Sequence, residues 1–444
     1  MPGTNIIGIL ILSIGFIILT STKFQWHPFF SLLGACILVG LLSQMPLKTI
    51  AKEISHGFGS LLGSVGLVVV LGSILGSFLE RSGMVNQLGE NLMRLYRGRY
   101  PSLTMSALGT LLGIPVFCDS GFLVLVSLAK NLSLQTNTRF PVISLSLASG
   151  LYASHNLVPP TPGPIAAAGN LGASSHLGII ILTGFVVAIP TVMLAYLYAL
   201  RVGKKLESNL EISPNPNIPS TPSHPFWLPY TVILLPLFFI TTSSLLALGE
   251  WQGPGLEIFH FLGHPLLALL VGIIIAALFS KTKENKKVWV QEGISQAGPI
   301  VLLTGCGGAF GSILKATSLS EVIAASIEGS HATGITFLCI AFAIAAVFKT
   351  AQGSSTSSLV ITSALLSPLA PLAGFESPFS LALLVSAIGA GSMMVSHAND
   401  SYFWVVSQFS GMNLKNSYLG ISGISLVQGL TAMATVILLH VVFL

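Results

Sequence analysis

Charge is scarce in this sequence. Lys, Arg, Asp and Glu together make up 7% of its 444 residues, whereas hydrophobic residues make up 52%. Soluble domains carry roughly 25% charged residues, so this composition excludes a large soluble protein and indicates one polytopic membrane domain. The net charge of +5 is spread over short segments, which excludes the clustered basic surface of a nucleic-acid-binding protein.

Cysteine and catalytic motifs are equally sparse. The four cysteines lie in apolar segments without the spacing of a metal site, so we expect free thiols, no disulfide framework, no metal and no cofactor. No Walker motif or nucleophile elbow is present, which argues against ATP-driven transport and against an enzyme acting on a lipid-linked acid. The first apolar run, Ile6–Thr20, lacks a basic n-region, so we expect a retained helix and not a signal peptide.

Aspartate is the rarest charged residue. The chain has only Asp119 and Asp400, and each lies in a short polar sequence within a long apolar stretch. A carboxylate at membrane depth costs about 2.5–3.5 kcal/mol on insertion scales, so its presence indicates a function by default. Two such residues, one in each half of the chain, suggest two related halves.

Apolar runs long enough to cross roughly 30 Å of hydrocarbon occur along the whole chain. They lie near residues 6–21, 27–44, 57–80, 176–200, 225–247, 259–280, 294–315 and 417–443. We predict an all-α polytopic membrane protein of about ten transmembrane helices, with two re-entrant hairpins at 101–135 and 330–370. The interrupted regions 139–172 and 378–412 predict two helices broken in mid-membrane. Irregular backbone at that depth must be buried in protein or line a water-filled cavity.

Short similarities relate the two halves. Gly76–Leu79 resembles Gly311–Leu314, and Ser154–Asn156 resembles Ser396–Asn399. Because five crossings per half is an odd number, we expect two inverted-topology repeats, an arrangement typical of secondary transporters. The predicted domains are a first repeat at 1–201, a Pro- and Ser-rich cytoplasmic linker at 202–224, and a second repeat at 225–444.

The basic residues predict the orientation in the membrane. With the segment 81–100 in the cytoplasm, only Lys48, Lys52 and Lys315 face outward and Lys349 falls inside the second hairpin. The remaining 15 of the 19 Lys and Arg residues then lie on the cytoplasmic side, a strong positive-inside bias. We therefore expect a multi-pass protein of the bacterial inner membrane with both termini on the outer face.

The most specific segment is Ser154–Ala168, which holds four prolines between residues 159 and 164. These prolines cannot continue a helix, whereas Ile165–Ala168 can begin a new half-helix. The N-terminus of that half-helix would offer free N–H groups and a positive dipole end to an anion. We expect substrate contacts from Asn156, Thr161 and Gly163. The alternative is a kinked helix without a ligand role.

The segment Lys349–Ser358 is rich in Gly, Ser and Thr. Glycine allows close approach of the backbone, and the hydroxyl and amide groups suit a carboxylate or a polyhydroxy ligand. The predicted substrate contacts are Gln352, Gly353, Ser354, Ser355 and Thr356. The alternative is a turn that satisfies its own backbone. Lys349 could be a counter-charge for an anion or a snorkelling lysine near a helix end.

The two aspartates and the two histidines at the polar interruptions of the chain suit proton handling. Asp119, Asp400, His155 and His397 are the predicted proton-coupling residues, with sodium not excluded. Their neighbours Ser120, Gly121, Asn399 and Ser401 are predicted to contact substrate. The alternatives are structurally paired carboxylates and histidines that only complete a hydrogen-bond network.

At these four segments the chain resembles the gluconate permease family, which comprises gluconate:proton symporters of the ion-transporter superfamily. His155–Pro164 resembles the family's His-x-x-x-Pro-Pro-x-Pro-Gly-Pro signature, and Thr350–Thr356 resembles its Ala-Gln-Gly-Ser stretch. Ser396–Trp404 resembles its Ser-His-x-Asn-Asp-Ser segment, and Gly113–Phe122 a segment with an acidic residue before Gly-Phe.

The resemblance implies a secondary active transporter that imports gluconate or a related small hydroxylated carboxylate with protons. Two departures bear on the substrate: Thr161 stands where the family often has His, and Lys349 where it commonly has Arg. Lys cannot make the bidentate contact of Arg with a carboxylate. A carrier of D-serine or of another hydroxy acid or amino acid therefore remains an alternative. A passive anion channel is a second alternative, and it would need a continuous polar lining.

The expected partners are the substrate, the coupling proton and the lipid bilayer, with no nucleic acid; a homo-oligomer is left open.

Overall fold

The protein is helical throughout the part of the chain that the structure, a computed structural model, describes. This part comprises residues 4–95, 100–209, 224–248, 255–280, 286–317 and 333–444. The helices are α1 (Thr4–Thr22), α2 (Pro28–Leu42), α3 (Leu47–Leu61), α4 (Leu67–Arg81), α5 (Met84–Leu95), α6 (Pro101–Leu112), α7 (Cys118–Thr136), α8 (Phe140–Leu157), α9 (Pro162–Asn170), α10 (Leu177–Val202), α11 (Leu228–Leu248), α12 (Leu256–Leu262), α13 (Pro265–Phe279), α14 (Lys286–Ala316), α15 (Gly334–Gln352), α16 (Ser355–Leu366), α17 (Pro378–Ser392), α18 (Ser401–Phe409), α19 (Leu414–Ser417) and α20 (Gly423–Phe443). The predicted all-α fold class is confirmed.

Six helical stretches of the described chain are long and apolar enough to cross a membrane. They are Leu47–Arg81, Ser174–Lys205, Leu228–Ala247, Lys286–Ala316, Gly334–Gln352 and Leu414–Phe443. Helices α12 and α13 would together form a seventh, but they meet at an angle of 75°. The apolar run 259–280 is therefore not one straight helix, because Pro265 begins a new one after Gly263 ends α12. The predicted count of about ten crossings stays a prediction.

Prolines mark the beginnings of many of the helices. Pro28, Pro101, Pro162, Pro265 and Pro378 all stand in the first turn of a helix, where the missing N–H group has no intrahelical partner to lose. Helix α8 ends at Leu157 and α9 begins at Pro162. The proline-rich sequence therefore breaks the chain into two helices, as predicted from the sequence.

Two long helical stretches form an antiparallel pair. Helix α3 continues through a π-helical turn at Leu62–Gly66 into α4, and α14 packs against both α3 and α4. At one end, a Cβ built on Gly57 would lie 2.4 Å from the carbonyl oxygen of Gly308. Near the other end, a Cβ built on Gly293 would lie 2.5 Å from Cα of Ile74. Small residues thus allow these two helical stretches to approach closely, as in many membrane proteins.

The packing partners of the helices recur in the two halves. Helix α6 packs on α8, and α15 packs on α17; α8 in turn packs on α10, and α17 on α20. Across the halves, α7 contacts α18 while α16 contacts α9. This recurrence is consistent with two related halves. The inverted orientation of the repeats and the bounds 1–201 and 225–444 stay predictions, and most of the predicted linker 202–224 lies outside the described residues.

Candidate substrate-binding site

Polar chain breaks meet at a cavity of about 260 Å³. The cavity lies between the tip of the first hairpin (the junction of α6 and α7), the C-terminal end of α8, the tip of the second hairpin (the junction of α15 and α16) and the break between α17 and α18. Its lining consists of Phe117, Cys118, Asp119, Tyr152, His155, Gln352, Gly353, Ser354, Ser355, Thr356, Asn399, Asp400, Ser401 and Tyr402. The volume is near the lower limit of typical ligand pockets, about 300 Å³, and suits a small metabolite.

Asp400 is fully engaged by the protein. Its Oδ2 atom lies 2.6 Å from Nζ of Lys349 and also accepts a hydrogen bond from the Ser396 hydroxyl. Its Oδ1 atom accepts the backbone N–H of Tyr402 at 3.1 Å, which caps the N-terminus of α18. The carboxylate thus stabilises the break between α17 and α18 while its charge is matched by a lysine.

Lys349 lies in the last turn of α15 and its side chain is 0% exposed. Besides pairing with Asp400, its ammonium donates to the carbonyl oxygen of Gly353 and lies 5.7 Å from the ring centroid of Tyr152, within range of a cation–π contact. Complete burial excludes snorkelling, which would place the ammonium in water. The role of Lys349 as a substrate counter-charge stays a prediction, since the structure pairs it with Asp400.

Asp119 differs from Asp400 in its surroundings. It lies in the first turn of α7, lines the cavity, and accepts a hydrogen bond from the Ser401 hydroxyl at 3.3 Å. In the part of the chain that the structure describes, no Lys, Arg or His forms an ion pair with it. Asp119 is therefore the acidic group of the cavity whose charge no basic side chain matches.

The two histidines of the prediction lie in different places. His155 lines the cavity and is 5% exposed, and its Nδ1 atom has no hydrogen-bond partner among the described residues. A buried polar atom without a partner costs about 1–3 kcal/mol, so a hydrogen bond to this nitrogen would stabilise the protein. His397 lies outside the lining, with Nε2 at 2.9 Å from the carbonyl oxygen of Thr350.

The tip of the second hairpin points a helix N-terminus at the cavity. Helix α15 ends at Gln352 and is capped by Gly353, whose φ of 79° is in the left-handed region that favours glycine. Helix α16 begins at once, with the Ser354 hydroxyl accepting the N–H of Ser357 at 3.2 Å. A Cβ built on Gly353 would lie 2.1 Å from the carbonyl oxygen of Asn399, and the Asn399 amide donates to the Thr350 carbonyl at 2.8 Å. The hairpin tip is thus bound to the break between α17 and α18.

Two tyrosines that the sequence analysis missed form one wall of the cavity. The rings of Tyr152 and Tyr402 stack with their centroids 5.2 Å apart and their planes at 9°. The Tyr152 hydroxyl lies 2.9 Å from Oγ of Ser355, and the Tyr402 hydroxyl donates to the Ala148 carbonyl at 2.9 Å. Helical spacing was a usable signal for Tyr152, because it precedes His155 by three residues and shares its helix face.

Three residues predicted around the first break do not reach the cavity. The Asn156 amide donates to the Tyr152 carbonyl at 2.8 Å, and the Thr161 hydroxyl donates to the Val158 carbonyl at 2.6 Å. Gly163 faces Leu359 of α16, because a Cβ built on it would lie 2.6 Å from Cδ1 of that residue. The N-terminus of α9 is therefore covered by α16, and the N-terminus that faces the cavity is that of α16 itself.

Two residues predicted at the first hairpin tip also point elsewhere. The Ser120 hydroxyl donates to the Glu80 carboxylate at 2.6 Å and lines a separate cavity of about 620 Å³ beside Arg81 and Glu292. Gly121 is buried against the side chain of Leu151. Only Asp119 of the predicted residues at this tip faces the central cavity.

Comparison with known proteins agrees with this architecture. Residues 4–442 match the sequence model of GntP family permeases. The chain is 30% identical over 446 residues to the gluconate permease of Pseudomonas aeruginosa, covering 98% of this chain and 97% of that protein. It is 28% identical over 449 residues to the D-serine transporter DsdX of Escherichia coli K12, covering 98% of each.

Solved structures support the fold alone. The Alcanivorax borkumensis YdaH transporter matches with a TM-score of 0.66 at 18% identity, covering 94% of this chain and 98% of that one. This similarity agrees with the all-helical fold. The chain therefore belongs to the GntP permease family and is a multi-pass membrane transporter, not an enzyme.

Proposed function

We propose that this protein is a secondary active transporter that imports gluconate or a related small hydroxylated carboxylate together with protons across the bacterial inner membrane. The observation that carries the proposal is the lining of the cavity: a helix N-terminus with three neighbouring hydroxyl residues and one unmatched carboxylate line the same small space. The gluconate permeases among its relatives support the choice of substrate class.

The N-terminus of α16 binds the substrate carboxylate in this proposal. Free N–H groups and the positive dipole end favour an anion there, and the hydroxyl groups of Ser354, Ser355 and Thr356 add donors. Substrate hydroxyl groups can then donate to Asp119 and pair with Nδ1 of His155. The substrate would thus be held at both ends, by neutral donors and by an acidic acceptor.

Asp119 carries the coupling proton in this proposal. A bound carboxylate and an ionised Asp119 in one small cavity repel each other strongly, because the low dielectric weakens screening. A proton on Asp119 removes that repulsion, so substrate and proton bind together. Asp400 cannot serve in the same way without losing its ion pair with Lys349.

Uptake into proteoliposomes tests this coupling. We expect an imposed pH gradient, alkaline inside, to drive accumulation of labelled gluconate, and a sodium gradient to have no effect. The Asp119→Asn variant should still exchange labelled for unlabelled substrate but should not accumulate it against a gradient. Glu257→Gln, an exposed change on α12, is the control. Normal pH-driven accumulation by Asp119→Asn would contradict the role of Asp119, and absence of counterflow in the wild type would indicate a channel.

A second substrate class is favoured by one observation. Because Asp119 has no basic partner among the described residues, it can pair with the ammonium of a zwitterion such as D-serine, while α16 binds the carboxylate. Competition assays with labelled gluconate and labelled D-serine distinguish the two substrate classes. If the substrate is a sugar acid, Asp119→Asn retains gluconate binding. If it is a zwitterionic amino acid, the same variant loses D-serine binding.

A further inference from the structure

The buried ammonium of Lys349 is bound by two oxygen atoms of the chain, one from a carboxylate and one from a backbone carbonyl. Oδ2 of Asp400 is 2.6 Å from Nζ, and the carbonyl oxygen of Gly353 accepts a hydrogen bond from it. The hydroxyl of Ser396 is bonded to the same carboxylate oxygen. The lysine side chain is 0% exposed, so the protein, and not solvent, surrounds its ammonium.

These oxygens have the chemistry of a monovalent cation site. In transporters with broken helices, sodium is coordinated by backbone carbonyls of unwound segments and by the C-terminal ends of half-helices. Gly353 is the C-terminal residue beyond α15 and Asp400 stands at the break before α18. The negative end of the α15 dipole adds to the carboxylate charge at the same place. The site therefore requires one positive charge, and Lys349 supplies it.

We propose that Lys349 is a tethered cation that occupies a monovalent cation site formed by the Asp400 carboxylate and the Gly353 carbonyl, and that removal of its amine opens this site to sodium. Ser396 supports the site by its hydrogen bond to the Asp400 carboxylate. The transporter then needs no sodium of its own, because the cation is part of the chain. The cation site is inferred from the geometry alone. The expected effect of sodium on gluconate uptake also rests on the proposed function.

Cation binding can be measured without any substrate. Purified Lys349→Ala is unfolded by heat in NaCl and in an equal concentration of choline chloride. A cation that binds only the folded state stabilises it, so NaCl at ten times its dissociation constant lowers the unfolding equilibrium constant about 11-fold. We expect this sodium-specific stabilisation in Lys349→Ala and in Lys349→Ser, whose hydroxyl adds a ligand. We expect none in the wild type.

Two further variants test whether the Asp400 carboxylate forms the cation site. The double variant Lys349→Ala with Asp400→Asn keeps the space but removes the negative charge, so sodium should no longer stabilise it. Lys415→Ala removes an exposed lysine and should behave as the wild type. Sodium stabilisation of the wild type, or of the double variant as strongly as of Lys349→Ala, would overturn the proposal.

The recovery of folded variants in the two salts is a further test of the cation site. If Lys349→Ala is recovered folded only when NaCl is present during purification, the proposal is supported. If neither Lys349→Ala nor Lys349→Ser is recovered folded in NaCl or in choline chloride, or if both fold and ignore sodium, the proposal is overturned.

Uptake measurements distinguish a failure of the tethered-cation proposal from a failure of the proposed transport function. In proteoliposomes, Lys349→Ala should take up labelled gluconate several-fold faster in NaCl than in choline chloride, whereas the wild type should be indifferent. Failure of wild-type gluconate uptake would refute the proposed substrate and leave the thermal result intact. Normal wild-type uptake with no sodium response in either experiment would refute the tethered cation alone.

Discussion

The break between α8 and α9 and the break between α17 and α18 occupy corresponding places in the two predicted repeats, but they are built differently. At the first break Thr161 is 2% exposed and bonds to its own backbone, and Gly163 packs against Leu359. At the second break Asn399 and Ser401 are exposed to the cavity and Asp400 carries a charge. The first break is packed against neighbouring helices, whereas the second presents polar side chains to the cavity.

The two hairpin tips differ in a complementary way. The first tip places one carboxylate, Asp119, in the cavity, whereas the second places neutral hydroxyl groups and the N-terminus of α16 there. An acidic side chain and a helix N-terminus therefore come from different halves of the chain. In the proposed mechanism, the proton and the substrate carboxylate bind at these two different places of one cavity.

The largest expected effect tests whether the second break depends on its charge pair. Lys349→Met leaves Asp400 buried without a partner, and breaking such a pair costs about 3–5 kcal/mol of stability. Adding Asp400→Asn should recover most of that loss, because no unmatched charge remains. Thermal unfolding of the purified variants measures both, with Lys415→Met as the control. A double variant as unstable as the single one would show that packing, not charge, maintains this break.

The next effect tests the contact between the second hairpin tip and the second break. Gly353→Ala introduces a Cβ at 2.1 Å from the Asn399 carbonyl oxygen and strains a backbone with φ of 79°. Gly374→Ala is the matched control, since its φ is 86° and no atom lies within 4 Å of the added Cβ. Strain alone costs about 1–3 kcal/mol, so both should lose stability. Only Gly353→Ala should also lose substrate uptake, and equal uptake by the two variants would refute the contact.

A smaller effect separates packing from ligand binding at the two breaks. Thr161→Val removes a buried hydrogen bond and should cost about 0.5–1.5 kcal/mol of stability without changing KM for uptake. Thr356→Val removes a hydroxyl of the cavity lining and should raise KM up to about tenfold, or 1.4 kcal/mol, without changing stability. Melting temperatures measure the change in stability, and uptake kinetics measure the change in KM. If Thr161→Val raises KM as much as Thr356→Val, the first break binds substrate after all.

The smallest effect concerns the first hairpin tip. The Ser120 hydroxyl donates to Glu80 and faces the neighbouring cavity, so Ser120→Ala should change KM about twofold or less, which corresponds to about 0.4 kcal/mol. Asp119→Asn, one residue earlier, should abolish accumulation of substrate. Uptake measured for both variants under the same pH gradient gives the comparison. A large rise of KM in Ser120→Ala would place this side chain in the substrate path.

The sequence predicted much of this architecture because its signals are local. Apolar length, the prolines of 159–164 and the isolated aspartates indicated the all-α class, the first break and two of the charged cavity residues. The pairing of Lys349 with Asp400 was not predictable, since it joins residues 51 positions apart through the packing of α15 beside the second break. The same holds for Thr161 and Gly163, whose burial depends on α16 lying against α9.

The bend in the apolar run 259–280 has a similar cause. Hydropathy scores only composition, and this run is apolar throughout. The angle of 75° between α12 and α13 arises where Gly263 packs against α11, since a Cβ built on it would lie 2.5 Å from the Phe239 carbonyl oxygen. The hydropathy of the segment cannot predict a tertiary contact of this kind.

The close approach of Gly353 to Asn399 has a practical consequence for anyone who wants to follow this transporter in motion. These two residues are far apart in sequence, yet no side chain fits between them. The second hairpin tip and the second break should therefore travel as one body during the transport cycle. A pair of spectroscopic labels or a chemical crosslink across this joint would report no change. The informative place for such a pair of labels is across the cavity, from α7 near Asp119 to α18 near Ser401. There the Ser401 hydroxyl donates to the two carboxylate oxygens of Asp119 at 3.5 and 3.3 Å.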